Sequence, residues 1–226
     1  VLKGQDAHIH FIFMTGITKS TKVKLFSGIN QLVDITLDQR FSDICGFTQI
    51  ELETHMAEHL SGIDWLQLKE WYGGYQFLGD EIFNPYAVLL FANKDKKYRS
   101  YWFETGRPSF LLRLLQRHRY FLPDFEQLEV SEEFLDSFDV EQINPVTLMF
   151  QKGYLAVDKV YTDELGEQSY KLKIPNRDVR SALGNQLIAS YASIEEESKP
   201  LRQNLYRALT DGDLPALKDE LVHIFD

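Results

Sequence analysis

Asn144-Pro145-Val146-Thr147-Leu148-Met149-Phe150-Gln151 begins with a capping residue and a proline, the pair that starts a helix. The helical stretch, Val146 to Leu155, runs straight into an extended one, Tyr154 to Tyr161. A polar loop over Thr162–Gln168, with Gly166 in it, leads to a second extended stretch, Ser169 to Ile174. Pro175-Asn176 then precedes a helix bearing Val179, Leu183 and Leu187.

Helix, hairpin, helix in that order predicts a winged-helix unit. Upstream of it, Val23 to Arg119 is mostly helical in pattern. Ser27 to Val33 reads as a short amphipathic turn closed by Asp34. Thr48-Gln49-Ile50-Glu51 forms a capping box, and its helix carries Leu52 and Met56 on one face. Ile63 to Tyr72 supplies Leu66, Leu68 and Trp71 to another helix. Gly73-Gly74 stops it, because glycine takes the left-handed conformation after a helix end. Tyr75 to Phe83, with Gly79-Asp80 between aromatics, predicts a small hairpin. Asn84-Pro85 opens a further helix, and Pro108 one whose Phe110, Leu111, Leu114 and Leu115 recur at helical spacing. Residues 120–137 read as an acidic, aromatic connector with a short helix. Two helices close the chain, the last capped at Asp213 with Leu214, Leu217, Leu221 and Ile224 on one stripe.

His8–Met14 (HIHFIFM) is a nearly continuous apolar run before Thr15-Gly16, and predicts a strand buried on both faces. Such a strand needs ladder partners on both sides. The seven residues ahead of it supply none, so the expectation is a sheet that lies mostly elsewhere.

With 226 residues, 44% of them hydrophobic and 26% charged, the chain is globular, one large domain or two small ones. A single cysteine, Cys45, excludes an internal disulfide and reads as a small buried thiol. No apolar run reaches the ~20 residues of a membrane span, and no signal-peptide layout is present, so the expected setting is cytoplasmic, away from membranes. A net charge of −10 opposes broad non-specific DNA binding. Charge is uneven: residues 94–119 hold eight basic side chains and two acidic ones, and 120–150 hold eight acids and no base. That switch suits docking between subdomains or a polyanion, and equally two solvated helix faces.

Gly16-Ile17-Thr18-Lys19-Ser20 ends like a phosphate-binding loop, but Thr18 and Phe13 stand where its glycines must be, so it cannot cradle phosphate. His55-Met56-Ala57-Glu58-His59 matches H-x-x-E-H, with histidines that would share a helical face. Two histidines leave a zinc ion short of a ligand, as do His8 and His10, and no metal site is expected.

Phe13-Met14-Thr15-Gly16-Ile17-Thr18-Lys19, Leu25-Phe26-Ser27-Gly28-Ile29-Asn30, Asp34-Ile35-Thr36-Leu37-Asp38 and Ile44-Cys45-Gly46-Phe47-Thr48 follow one another in order. So do Trp71-Tyr72-Gly73-Gly74-Tyr75-Gln76-Phe77, Asn84-Pro85-Tyr86, Tyr101-Trp102-Phe103-Glu104-Thr105-Gly106 and Pro175-Asn176-Arg177-Asp178-Val179-Arg180. In order and spacing these blocks resemble the AAA-ATPase-like family of bacterial proteins over nearly the whole chain. The resemblance implies a parent with an N-terminal P-loop core that binds ATP and Mg²⁺, a helical lid, a winged-helix-like module and often a PD-(D/E)XK nuclease-like domain.

On that resemblance the fold is α+β, mainly α. Residues 1–29 are a remnant of the core ending in its sensor strand, 30–120 the lid, 121–190 the winged-helix-like domain, and 191–226 helices leading to a C-terminal domain. Thr15 is then the sensor of the γ-phosphate, with Lys19 adding charge nearby. Arg40 is an arginine finger reaching a neighbouring subunit of a homo-oligomer, and Pro85 touches base or sugar from the lid. This chain, without a phosphate loop, is expected neither to hold a cofactor nor to hydrolyse ATP by itself. Its partners would be the P-loop core and the nuclease-like domain. The alternative is a winged-helix binding module without catalysis. Lys152, Lys159, Lys171, Lys173, Arg177 and Arg180 against Asp158, Asp163, Glu164, Glu167 and Asp178 leave it nearly neutral, which favours a protein over DNA as its partner.

Overall fold

The computed structural model describes residues 8, 10–16, 33–102, 109–118, 125, 128–136, 144–191 and 198–225. Three helices with side-chain caps build the first half. The Thr48 hydroxyl accepts from the Glu51 N–H at 3.2 Å and the Glu51 carboxylate accepts from the Thr48 N–H at 2.8 Å, which starts α1 (Gln49–His55). Asp64 accepts from Leu66 and Gln67 to start α2 (Trp65–Tyr72). Asn84, followed by Pro85, caps α3 (Pro85–Asn93). Their inner faces meet in a first apolar core of Leu52, Leu68, Tyr72, Phe83, Val88, Phe91 and Tyr101. The Tyr72 ring lies 5.6 Å from Phe91 and 5.8 Å from Tyr101.

Next come α4 (Ser109–His118), β1 (Glu129–Ser131), α5 (Glu132–Asp136), α6 (Pro145–Gln151), β2 (Ala156–Thr162), β3 (Gln168–Lys173) and α7 (Arg177–Tyr191). The strands form one antiparallel sheet in the order β1-β3-β2, so the last strand is central. Tyr170 in β3 stands between Val130 and Val160, an aromatic flanked by β-branched partners. Tyr170 and Leu172 point inward to a second core with Leu111, Leu115, Leu135, Met149, Leu155, Val179 and Leu183. Tyr75 and Ile82, from the turn between α2 and α3, belong to this core as well. Helix α6 is buried continuously from Pro145 to Phe150.

Finally α8 (Ser198–Asp211) packs on α7, and α9 (Leu214–Phe225) on α8. Asp213 caps α9 by accepting from Ala216 at 3.0 Å. The described residues thus form an α+β fold with nine α-helices, and none of these is long and apolar enough to cross a membrane.

Several expectations are corrected. No strand forms over the described part of His8–Met14: residues 11–16 have no regular structure, and Phe11 is 81% exposed. Among the described residues no strand pairs with this run, and a strand forms only with a ladder partner. Cys45 is exposed, not buried, because the chain meets the core through its neighbour Gly46, where a Cβ would strike Ile82. Helix α1 ends at His55, so His59 lies beyond it and the two histidines do not share a helical face. The hairpin expected over Tyr75–Phe83 is reduced to single bridges, Tyr75 to Ile82 and Phe47 to Phe83, and Leu78 rather than Gly79 takes the positive φ of its turn. After α2, Gly73 stays extended and Gly74 takes the positive φ. The connector over 120–137 holds the expected short helix, α5, and also the unexpected strand β1. The Ser27–Val33 turn lies outside the described residues except for its end, Val33, which is exposed.

Candidate functional site

Several hydrogen bonds from distant segments converge on the start of α7. Asn176 caps this helix by accepting from the Val179 N–H at 3.0 Å, and its amide group donates to the Gly73 carbonyl at 2.7 Å. One and the same side chain therefore finishes a helix and grips a segment 103 positions away. Two residues on, Asp178 is 1% exposed. Its Oδ1 accepts from the Ser100 hydroxyl at 2.7 Å, the Tyr101 N–H at 3.0 Å and the Trp102 N–H at 3.0 Å. Consecutive backbone N–H groups aimed at one point make a concavity suited to an anion. Here the occupant is a carboxylate of the same chain, which the positive end of α7 also favours.

Backbone meets backbone beside it. Gly74 has φ +83°, and a Cβ there would run into the Pro175 carbonyl oxygen. The Tyr75 hydroxyl donates to the Gly153 carbonyl at 3.2 Å, and its ring stacks on Trp102 at 6.2 Å. Trp102 in turn stands edge-on to Tyr154 at 5.6 Å. Burial, with the Asp178 charge adding to it, holds the Tyr75 hydroxyl far above its ordinary pKa, so it remains a donor at all working pH. Residues from three of the blocks that carry the family resemblance, Trp71–Phe77, Tyr101–Gly106 and Pro175–Arg180, meet here. Chemically the place holds segments together: Asn176 and Asp178 bind Gly73 and residues 100–102 to the start of α7.

The residues expected to read a nucleotide are dispersed. Thr15 is exposed in a stretch without regular structure. Lys19 lies outside the described residues. Arg40 belongs to the 3₁₀ turn Gln39–Phe41 and pairs with Asp38, donating from Nε to Oδ1 at 3.0 Å. That hydrogen bond, with the charge behind it, holds the Asp38 carboxyl down at about 2. Pro85 is half-buried at the first position of α3, where it serves as a helix start. No hydrogen bond, ion pair or ring contact joins any two of Thr15, Arg40 and Pro85. An open groove of about 690 Å³, lined by Ser181, Gln203, Tyr206, Arg207, Thr210 and Asp211, includes none of them. Among the described residues no three His, Cys, Asp or Glu gather to hold a metal ion.

Sequence reasoning passed over Asn176, Asp178, Ser100 and Gly74 as functional residues. The available signal was the clustering of distinctive residues in separate blocks, which marks positions with demanding neighbours without saying who the neighbours are.

An uncharacterized protein in the vnfD 5′ region of Azotobacter chroococcum mcd 1 is 39% identical over 221 residues, which cover 96% of this chain and 42% of that protein. The chain thus spans less than half the length of the curated relative it matches. No protein-family model matches the chain, and no solved structure does.

Proposed function

We propose that this chain is the lid and winged-helix part of a nucleotide-dependent switch, and that its contribution is mechanical rather than catalytic. Residues 30–120, with α1 to α4, act as the lid, and residues 121–190, from β1 to α7, as the winged-helix-like module, in the order strand, two helices, hairpin, helix. The observation that carries the reading is the burial of α6. In a winged helix that reads DNA, the helix before the hairpin enters the major groove and must present polar, basic side chains. Here Pro145 to Phe150 are all buried and none is basic. The module spends that helix on its own core, beside Tyr75 of the preceding half, as a relay would.

In this reading ATP and Mg²⁺ are held by a P-loop core outside these residues. Thr15 senses the γ-phosphate, Lys19 adds charge, Arg40 serves the nucleotide of a neighbouring subunit, and Pro85 touches base or sugar. Closure on ATP moves the helical half and carries the sheet with it. The test is calorimetric titration of Mg·ATP into this chain and into the full-length Azotobacter relative. Binding by the long protein and none by the short chain is expected. Tight binding by the short chain, or none by the long one, overturns the reading.

Exposed Val160, Tyr161 and Leu165 on the β2–β3 hairpin favour a second reading, a module that contacts another protein without nucleotide. That reading survives if neither protein binds ATP. A mobility shift of duplex DNA at low salt would overturn both in favour of nucleic acid.

A further inference from the structure

We propose that the contact of segments 73–75 and 100–102 with the start of α7 is a clasp that forces the two apolar cores to open together. This stands on geometry alone and does not depend on the nucleotide reading. The border between the cores runs through the clasp itself. Tyr72 lies in the first core and Tyr75 in the second, with the Gly73 carbonyl and Gly74 between them held by Asn176 and Pro175. Tyr101 lies in the first core while Trp102 packs against the second, and both donate their N–H groups to Asp178. Val179, next to Asp178, is a second-core residue.

Neither core can loosen without pulling on Asp178. If the helical half opens alone, a buried carboxylate loses the donors of Ser100, Tyr101 and Trp102 at once; if the sheet half opens alone, the buried Tyr101 N–H, the half-buried Trp102 N–H and a hydroxyl lose their acceptor. Either half-open state strands polar groups that water reaches poorly, and stranding a charge is the costlier case. The half-open states are therefore depleted, and the molecule behaves as one cooperative unit despite having two cores.

Native-state hydrogen exchange on the whole chain tests this, with urea unfolding alongside. In the unaltered protein the slowest amides of α2 and α3 and those of β3 and α6 are expected to share one opening level and one urea midpoint. Asp178→Ala should split them, the two sets of protection factors separating by about tenfold or more. Ser100→Ala, which removes the hydroxyl donor and leaves the two N–H groups, should split them less and guards against loss of folding in the first variant. Leu52→Ala, in the first core and away from the clasp, should lower the single transition without dividing it. Two levels already present in the unaltered protein overturn the proposal. So does an undivided transition in both clasp variants, since a merely structural role would lower stability as Leu52→Ala does.

Discussion

Gly74 and Gly166 both hold positive φ, +83° and +85°, but only the first has a neighbour where a Cβ would sit. Alanine at Gly166 should cost only the backbone preference, about 1 kcal/mol. Alanine at Gly74 adds the overlap with Pro175 and should cost clearly more, on the order of 3 kcal/mol, the usual upper range for a single substitution. Urea midpoints of the two variants check the ordering. Asp38 gives a residue-scale prediction of another kind. Its carboxyl is held at about 2, below its ordinary 3.8, so folding favours the ionised form; any contribution to stability is full above pH 3.8 and is lost as pH falls through about 2. In a carbon-detected NMR titration Arg40→Ala should return the midpoint towards 3.8, while thermal stability at neutral pH changes little because the Arg40 side chain is largely exposed.

At the level of elements, short helices depend on their ends. Helix α1 has seven residues, too few to persist by propensity, so Thr48→Ala should cost about 1 kcal/mol in urea unfolding. Met149→Ala in α6 should cost about 2–5 kcal/mol, since that side chain is wholly buried and its removal leaves a cavity. The caps that start α1, α3, α6 and α9 were legible because Thr48, Asn84, Asn144 and Asp213 act within three residues of themselves. The hairpin of β2 and β3 was legible by its polar loop. Strand β1 was not: Glu129–Ser131 carries no apolar run and exists because β3 offers a ladder. The run at His8–Met14 misled in the opposite sense, since apolar pattern records a preference for an interior and cannot supply one. Asp178 was invisible for a related reason. It reads as an ordinary acid in the first turn of α7, and it accepts from two backbone N–H groups, which every residue but proline possesses.

Across the whole molecule, the basic-to-acidic switch near residue 120 looks like a seam, but the apolar contacts ignore it. Leu111 and Leu115 lie before the switch and belong to one core with the sheet and helices that come after it, and Tyr75 and Ile82 join the same core from farther upstream. Anyone dividing this protein for separate expression would cut there and be penalised for it. A 121–226 piece would leave that core open where four large side chains had been. It should collect in inclusion bodies or bind hydrophobic dyes, whereas a piece begun at or before residue 33 would keep both cores covered and stay dispersed.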